Sequence, residues 1–218
     1  MDKKALVAAE AIKYVNKGNV VGLGSGTTVN EFIKLLGAKE EIKKTIVCVA
    51  TSIATENLAR KVGIRVIDID LVDRIDVTID GADEIDPDGN LLKGGGGALT
   101  REKKVALNSS KYVIIASNEK LVEKIPDHMG IPIEILKFGA KSTIQKIEDL
   151  GMICRVRENF ITDNGNIICD CIPENSIDLR ETNDEIKKIN GVVETGLFLD
   201  MRKIVITSDG ENVKITSF

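Results

Sequence analysis

Residues 19–36 of the chain, NVVGLGSGTTVNEFIKLL, decide the fold. The first five of these residues form a short apolar run that is typical of a buried strand, and the turn Gly24-Ser25-Gly26 follows. Apolar residues then recur with the spacing of one helix face, at Val29, Phe32, Ile33 and Leu36. A strand, a glycine turn and a helix in this order predict one unit of a parallel sheet covered by helices.

The same alternation continues through the first half of the chain. Further strands are predicted at 45–49, 65–69, 75–80 and 112–116, and helices at 53–62 and 98–108. The first residues place apolar side chains at helical spacing and lack the continuous apolar core of a signal peptide, so they predict an amphipathic helix. Together these elements predict an α/β fold with a Rossmann-like, mostly parallel sheet and helices on both faces.

The pattern changes after Pro126. A strand at 131–136, a helix at 142–150, strands at 152–157 and 166–171 around Asn164-Gly165, a helix at 179–189 and a strand at 191–198 give the order β-α-β-β-α-β. This order predicts a smaller ferredoxin-like α+β domain. We therefore expect residues 1–126 plus 200–218 to form the catalytic domain, with the hairpin 204–216 rejoining its sheet, and residues 127–199 to mediate oligomerisation.

Composition excludes several classes of function. The net charge of -4 and the aromatic content of 3% argue against binding nucleic acid, and no apolar stretch approaches the length of a membrane span. We expect a cytoplasmic protein. The four cysteines form no CxxC pair, which favours reduced, mostly buried thiols over a zinc or redox site, and no metal site is predicted.

The first candidate site is the glycine turn itself. Residues 22–28, GLGSGTT, offer backbone N–H groups, hydroxyls and a helix N-terminus, which suit a phosphate group. The turn lacks the glycine spacing of a dinucleotide fingerprint and the Gly-Lys-Ser/Thr of a P-loop. The alternative is a tight turn with a Ser or Thr helix cap.

The second candidate site is the acidic sequence DGADE at 80–84. Asp80 stands at the carboxyl end of a predicted strand, where functional groups gather in parallel sheets. Clustered carboxylates can divide acid and base roles between them. The alternatives are a solvated acidic loop or a calcium site, although the spacing of an EF-hand is absent.

The third candidate site is KGGGGALTREK at 93–103. Four successive glycines allow a ligand to approach the backbone closely, and Lys93 precedes them. Glu102 shares one helix face with Leu99 and Ala106, so a carboxylate is expected on an apolar stripe. The alternative is that Glu102 pairs with a neighbouring cation or caps the helix. The three segments together suit proton transfer next to a carbonyl, with a carboxylate as base and a lysine stabilising the oxyanion.

These segments resemble the ribose-5-phosphate isomerase type A family. GLGSGTT, ATSIATENLA, DGADEIDP, KGGGGALTREK, SNEKLV, IPIEIL, TDNGN and GVVETGLF match the family pattern in order along nearly the whole chain. The resemblance implies interconversion of D-ribose 5-phosphate and D-ribulose 5-phosphate in the pentose phosphate pathway. It implies an enediol(ate) intermediate, no metal or nucleotide cofactor, and a homodimer or homotetramer.

The resemblance also implies roles for individual residues. Glu102 would move the proton between C1 and C2, and Lys93 would stabilise the enediolate oxygen. Asp80 and Asp83 would bind sugar hydroxyls, with Asp80 the better candidate for helping to open the ring. The remaining substrate-binding residues would be Ser25, Gly26, Thr27, Thr28, Gly81, Ala82, Gly94, Gly95, Gly96 and Lys120.

Two other interpretations remain open from the sequence. One is an isomerase or deaminase acting on a different sugar phosphate. The other is a non-catalytic sugar-phosphate sensor, which would not need both Lys93 and Glu102. The single histidine, His128, is expected at the surface, and Tyr112 is expected to be a packing residue.

Overall fold

The computed structural model of the chain describes residues 2–218, which fold into two compact units. The first unit contains the described residues up to Ala82 together with Arg101–Lys120 and Met201–Phe218. The second unit contains Asp83–Thr100 and Leu121–Asp200. The division predicted from the sequence lay near residue 126, whereas residues 83–100 group with the second unit here.

Seven helices and thirteen strands follow one another among the described residues. The helices are α1 (Lys3–Ala11), α2 (Thr27–Ala38), α3 (Glu40–Lys43), α4 (Ile53–Lys61), α5 (Leu99–Leu107), α6 (Ala140–Glu148) and α7 (Leu179–Lys188). The strands are β1 (Val20–Leu23), β2 (Val47–Ala50), β3 (Val77–Asp80), β4 (Glu84–Ile85), β5 (Leu91–Leu92), β6 (Tyr112–Ser117), β7 (Ile131–Ile135), β8 (Met152–Val156), β9 (Ile167–Pro173), β10 (Val192–Thr195), β11 (Leu197–Phe198), β12 (Ile204–Ser208) and β13 (Val213–Ser217). No helix of the described residues is long and apolar enough to span a bilayer.

The first unit is built on a six-stranded sheet in the order β13-β12-β6-β3-β1-β2. Its neighbouring strands are parallel except for β12 and β13, and β12 pairs with β6, so the prediction that the terminal hairpin rejoins this sheet is confirmed. The strand predicted at 65–69 is wrong: it contributes one bridge, between Val66 and Cys48. Asp68 accepts a hydrogen bond from the N–H of Asp70 and begins a 3-10 turn, which ends the extended conformation.

Helices cover both faces of this sheet, as predicted. Val21 and Leu23 point to the face that packs against α1 and α2. Gly22 points to the other face, where an added Cβ would lie 2.7 Å from Cγ1 of Val105 on α5. This close approach requires glycine at position 22. Because β1, β2, β3 and β6 are parallel, the segments that follow them meet at one edge of the sheet.

The second unit contains a four-stranded antiparallel sheet in the order β10-β7-β9-β8. Its core joins Ile133 and Cys169 of the sheet to Ile147 of α6 and Ile186 of α7. The predicted ferredoxin-like order β-α-β-β-α-β is therefore confirmed. A second small sheet in the order β11-β5-β4 was not predicted, because each of its strands has two residues and shows no periodicity.

Candidate active site

Asp80 holds the glycine turn of the first unit in place. Its Oδ1 accepts hydrogen bonds from the N–H of Ser25, at 3.2 Å, and from the N–H of Gly81, at 2.8 Å. An added Cβ at Gly24 would lie 1.9 Å from this same oxygen, so no other residue fits there. The carboxylate at the end of β3 and the turn after β1 are thus joined by a hydrogen bond and packed against each other.

Three hydroxyl groups surround the side chain of Ser25 in this turn. The Oγ of Ser25 lies 2.8 Å from the Oγ1 of Thr51, 3.0 Å from the Oγ of Ser52 and 3.2 Å from the Oγ1 of Thr55. The last three side chains were not predicted as site residues. Thr51 and Ser52 follow β2, the neighbour of β1, so their position at the edge of the sheet was the signal that could have found them.

The N-terminus of α2 presents polar groups of the kind an anion prefers. Gly26 precedes the helix with φ of +106°, a conformation that favours glycine, and its N-terminus carries no side-chain cap. The alternative of a Ser or Thr cap is therefore wrong. Lys4 of α1 donates from its Nζ to the Oγ1 of Thr27 at 2.9 Å, which places a cation beside the exposed turn. Lys4 was also missed, because one lysine in an amphipathic helix carries no distinguishing pattern.

The charges of Asp80 and Glu102 both affect the pKa of the buried phenol of Tyr112. Tyr112 donates from its hydroxyl to the Oδ2 of Asp80 at 3.4 Å, and Asp80 is 0% exposed. Burial raises the pKa of Tyr112 well above its usual range, and the charges of Asp80 and Glu102 and the hydrogen bond to Asp80 raise it further. Tyr112 is buried, as a packing residue would be, but its hydroxyl also belongs to the site.

Glu102 lies on the apolar stripe of α5, as predicted. Leu99 is 0% exposed, Glu102 4% and Ala106 3%. A carboxylate so removed from water is costly unless the surrounding structure provides for it, which makes it a candidate for a functional group. Lys103 is also buried, which the sequence did not predict.

The second unit brings Asp83, Lys93 and the glycine loop together. The N–H of Gly95 donates to the Oδ2 of Asp83 at 2.8 Å. Lys93 is 2% exposed, and its Nζ lies 5.5 Å from the centre of the Phe198 ring. Gly94 has φ of +108°, so this loop needs glycine for its backbone conformation.

Two further acids of the 80–88 segment accept hydrogen bonds from backbone amides. Glu84 is buried and accepts hydrogen bonds from the N–H groups of Asp127, His128 and Met129, at 2.9, 2.6 and 3.1 Å. Asp86 accepts from the N–H groups of Asp88 and Asn90. These bonds give Glu84 and Asp86 structural roles, whereas Asp88 is exposed, as expected of a solvated loop.

The oxidation state of the cysteines differs from the prediction. Cys154 of β8 and Cys171 of β9 face each other directly and form a disulfide with a Cα–Cα distance of 4.1 Å, so the prediction that all four are reduced is wrong. Cys48 and Cys169 are free and buried, and burial raises the pKa of each thiol to about 12. Among residues 2–218, the sulfur atoms of Cys154, Cys169 and Cys171 lie close enough together to hold a metal ion, but Cys154 and Cys171 are joined in the disulfide.

The predicted site residues therefore divide between the two units. The first unit holds Ser25, Gly26, Thr27, Thr28, Asp80, Gly81, Ala82, Glu102 and Lys120, and the second holds Asp83, Lys93, Gly94, Gly95 and Gly96. Lys120 ends a 3-10 turn after β6, at the same edge of the sheet as the glycine turn. His128 is exposed, as predicted.

This fold is that of an α/β protein, and its glycine turn, buried carboxylates and buried lysine are typical of an enzyme. The chain belongs to the ribose 5-phosphate isomerase A (phosphoriboisomerase A) family, whose pattern matches residues 47–212. Ribose-5-phosphate isomerase A of Bacillus mycoides strain KBAB4 is 43% identical to it over 98% of this chain and 99% of the relative. The resemblance drawn from the motifs is thus confirmed.

Solved structures agree with this assignment. A D-ribose-5-phosphate isomerase in complex with phospho-erythronic acid superimposes with a TM-score of 0.94 and 36% identity, and the match covers 100% of both chains. Ribose 5-phosphate isomerase A of Methanocaldococcus jannaschii superimposes with a TM-score of 0.92 and 35% identity, covering 99% of this chain and 98% of the other. These matches confirm the predicted fold class.

Proposed function

We propose that the chain interconverts D-ribose 5-phosphate and D-ribulose 5-phosphate with Glu102 as the base. The carboxylate removes the proton from C2 of the open-chain aldose, and the electron pair forms a C1–C2 double bond and an enediolate. The protonated Glu102 returns the proton to C1, while the hydroxyl proton on O2 moves to O1 and C2 becomes the carbonyl. The observation that carries this proposal is that Glu102 lies on an apolar stripe with only 4% of its surface exposed. Its charge also raises the pKa of the buried Tyr112.

Lys93 stabilises the enediolate oxygen in this proposal, assisted by the loop of Gly94, Gly95 and Gly96, in which the N–H of Gly95 is bonded to Asp83. A buried ammonium group next to a glycine loop supports these roles, because a fixed donor in a site shielded from water stabilises developing charge strongly. Removing one such donor typically costs about 2.7–4 kcal/mol of transition-state stabilisation.

The phosphate group binds at the glycine turn of the first unit. Ser25, Gly26, Thr27 and Thr28 line this position, with Lys120 at the same end of the substrate. The helix N-terminus of α2 and the ammonium group of Lys4, bonded to Thr27, support an anion here. The phospho-erythronic acid bound by the related isomerase carries a phosphate and a carboxylate, as expected of a ligand that mimics a phosphorylated enediolate.

Asp80 and Asp83 bind sugar hydroxyls, with Gly81 and Ala82 between them. Asp83 is partly exposed, which supports direct contact with a ligand. Asp80 is fully buried and bonded to Ser25, Gly81 and Tyr112, so it supports the phosphate turn and is the candidate for assisting ring opening.

The proposed enzyme acts in the cytoplasm, in the pentose phosphate pathway, as a homodimer or homotetramer without a cofactor. Residues 127–199 are the proposed oligomerisation domain. Exposed apolar side chains in this region support an interface, with Phe138 94% exposed, and Ile153 and Ile172, paired across β8 and β9, each 54% exposed. Light scattering at increasing protein concentration measures the oligomeric state.

A turnover assay on several sugar phosphates tests the proposal. We expect activity on ribose 5-phosphate in one direction and on ribulose 5-phosphate in the other. Preference for a hexose phosphate, or binding of sugar phosphates without any turnover, would contradict it and favour a different isomerase or a sensor.

A further inference from the structure

The glycine loop of the second unit is held by a side chain from outside the family motifs quoted above. Arg157, which follows β8, donates from its Nη1 to the carbonyl oxygens of Gly94, at 2.9 Å, and Gly95, at 3.0 Å. Its Nε and Nη2 donate to Asp170 of β9, at 2.7 and 2.6 Å. Four of the guanidinium's five N–H groups can serve these bonds at once, which the single ammonium of a lysine cannot reproduce.

A second contact holds the same loop from the same hairpin. The Arg157 guanidinium lies 5.8 Å from the centre of the Phe160 ring. Phe160 in turn packs against Gly97, where an added Cβ would lie 2.2 Å from the ring. Arg157 and Phe160 together therefore fix the loop between Gly94 and Gly97.

The carbonyl contacts determine where the loop's N–H groups point. In a trans peptide the carbonyl oxygen and the N–H point in opposite directions. The Gly94–Gly95 peptide shows this, since its carbonyl faces Arg157 and its N–H donates to Asp83. By the same geometry, the bond from Arg157 to the Gly95 carbonyl turns the N–H of Gly96 away from the guanidinium. Gly95 and Gly96 are both exposed, so this part of the loop is accessible to a ligand.

We propose that Arg157 is a positioning residue that presents the N–H of Gly96 to the anionic oxygen of the reacting sugar. Asp170 orients the guanidinium, and the positive charge behind the two carbonyls polarises their peptides so that the N–H groups become better donors. This inference rests on the proposed role of the glycine loop as a set of backbone donors.

Arg157→Lys tests the inference, with Arg155→Lys as the control, because Arg155 is an exposed residue of the same hairpin. For Arg157→Lys we expect kcat on ribose 5-phosphate to fall by about 10-fold or more with little change in KM, since the donor acts on the transition state. Inhibition by phospho-erythronic acid should weaken by a similar factor, whereas inhibition by inorganic phosphate should not change. Arg155→Lys should match wild type in all three measurements.

Thermal unfolding shows whether Arg157→Lys folds, and a second variant tests the inference if it does not. If Arg157→Lys does not fold, Asp170→Asn should show the same selective loss, because it loosens the guanidinium and keeps the shape of the side chain. Guanidinium ion at a non-denaturing concentration should partly restore kcat to Arg157→Ala. Unchanged kcat, or equal weakening of phosphate and phospho-erythronic acid, would overturn the inference. Absence of turnover by the wild type would instead defeat the proposed function.

Discussion

The hydroxyl of Tyr112 lies 3.4 Å from the Oδ2 of Asp80, and both residues are buried beneath the glycine turn of the first unit. The other oxygen of Asp80 accepts hydrogen bonds from the N–H groups of Ser25 and Gly81. A neutral phenol can donate to this carboxylate, whereas a phenolate would repel it. The turn therefore depends on the protonation state of Tyr112.

We expect Tyr112→Phe to remove part of the alkaline instability of the protein. Because the pKa of Tyr112 is raised in the folded state, folding favours the protonated phenol. This contribution is fully present below the unfolded pKa of about 10 and is lost as pH rises towards the folded pKa, by about 1.4 kcal/mol per pH unit. Denaturant unfolding of both proteins at pH 8 and above pH 10 measures the difference. An equal decline in the two proteins would contradict the prediction.

Gly24→Ala is expected to destabilise the fold severely. The new Cβ would lie 1.9 Å from the Oδ1 and 2.6 Å from the Cα of Asp80, so the backbone has to move. Overpacking of this kind costs about 1–3 kcal/mol or more. Gly81→Ala is the matched control, because its Cβ would meet its nearest neighbour at 3.7 Å, an ordinary contact. Urea unfolding should separate the two variants; similar stabilities would show that the turn is not held as described.

Thiol titration checks the cysteine pairing. The denatured, unreduced chain should expose two free thiols, those of Cys48 and Cys169, and the reduced chain four. In the native protein both free thiols should react slowly at pH 8, because burial raises the pKa of each to about 12 and little thiolate forms. Four thiols before reduction would show that Cys154 and Cys171 are not joined in solution.

Removing divalent ions with EDTA should leave turnover unchanged. The carboxylates of Asp80, Asp83 and Glu84 each accept a hydrogen bond from a backbone N–H group, which stabilises their negative charge without a cation. The assay compares dialysed enzyme before and after addition of magnesium or zinc. Activity that disappears with EDTA and returns with one of these ions would contradict this assignment of the acids.

Local patterns were sufficient to predict much of this molecule. The βα unit at 19–36, the buried stripe of Leu99, Glu102 and Ala106, and the terminal hairpin follow from periodicity and turn chemistry that neighbouring residues carry. Contacts between distant segments were not predictable in this way. The tyrosine at 112 looks like any strand aromatic until its hydroxyl is placed, and Cys154 and Cys171 meet only through the register of β8 and β9. Arg157 reaches residues more than sixty positions away.

The most direct test of the account is the turnover of ribose 5-phosphate by Glu102→Gln, beside Glu185→Gln as an exposed control on α7. The amide keeps the size of the side chain but cannot accept the proton. We predict that Glu102→Gln folds and binds ribose 5-phosphate, yet loses kcat by at least about 100-fold, the scale expected for a positioned base. Near-normal turnover by Glu102→Gln would contradict the assignment of Glu102 as the group that moves the proton.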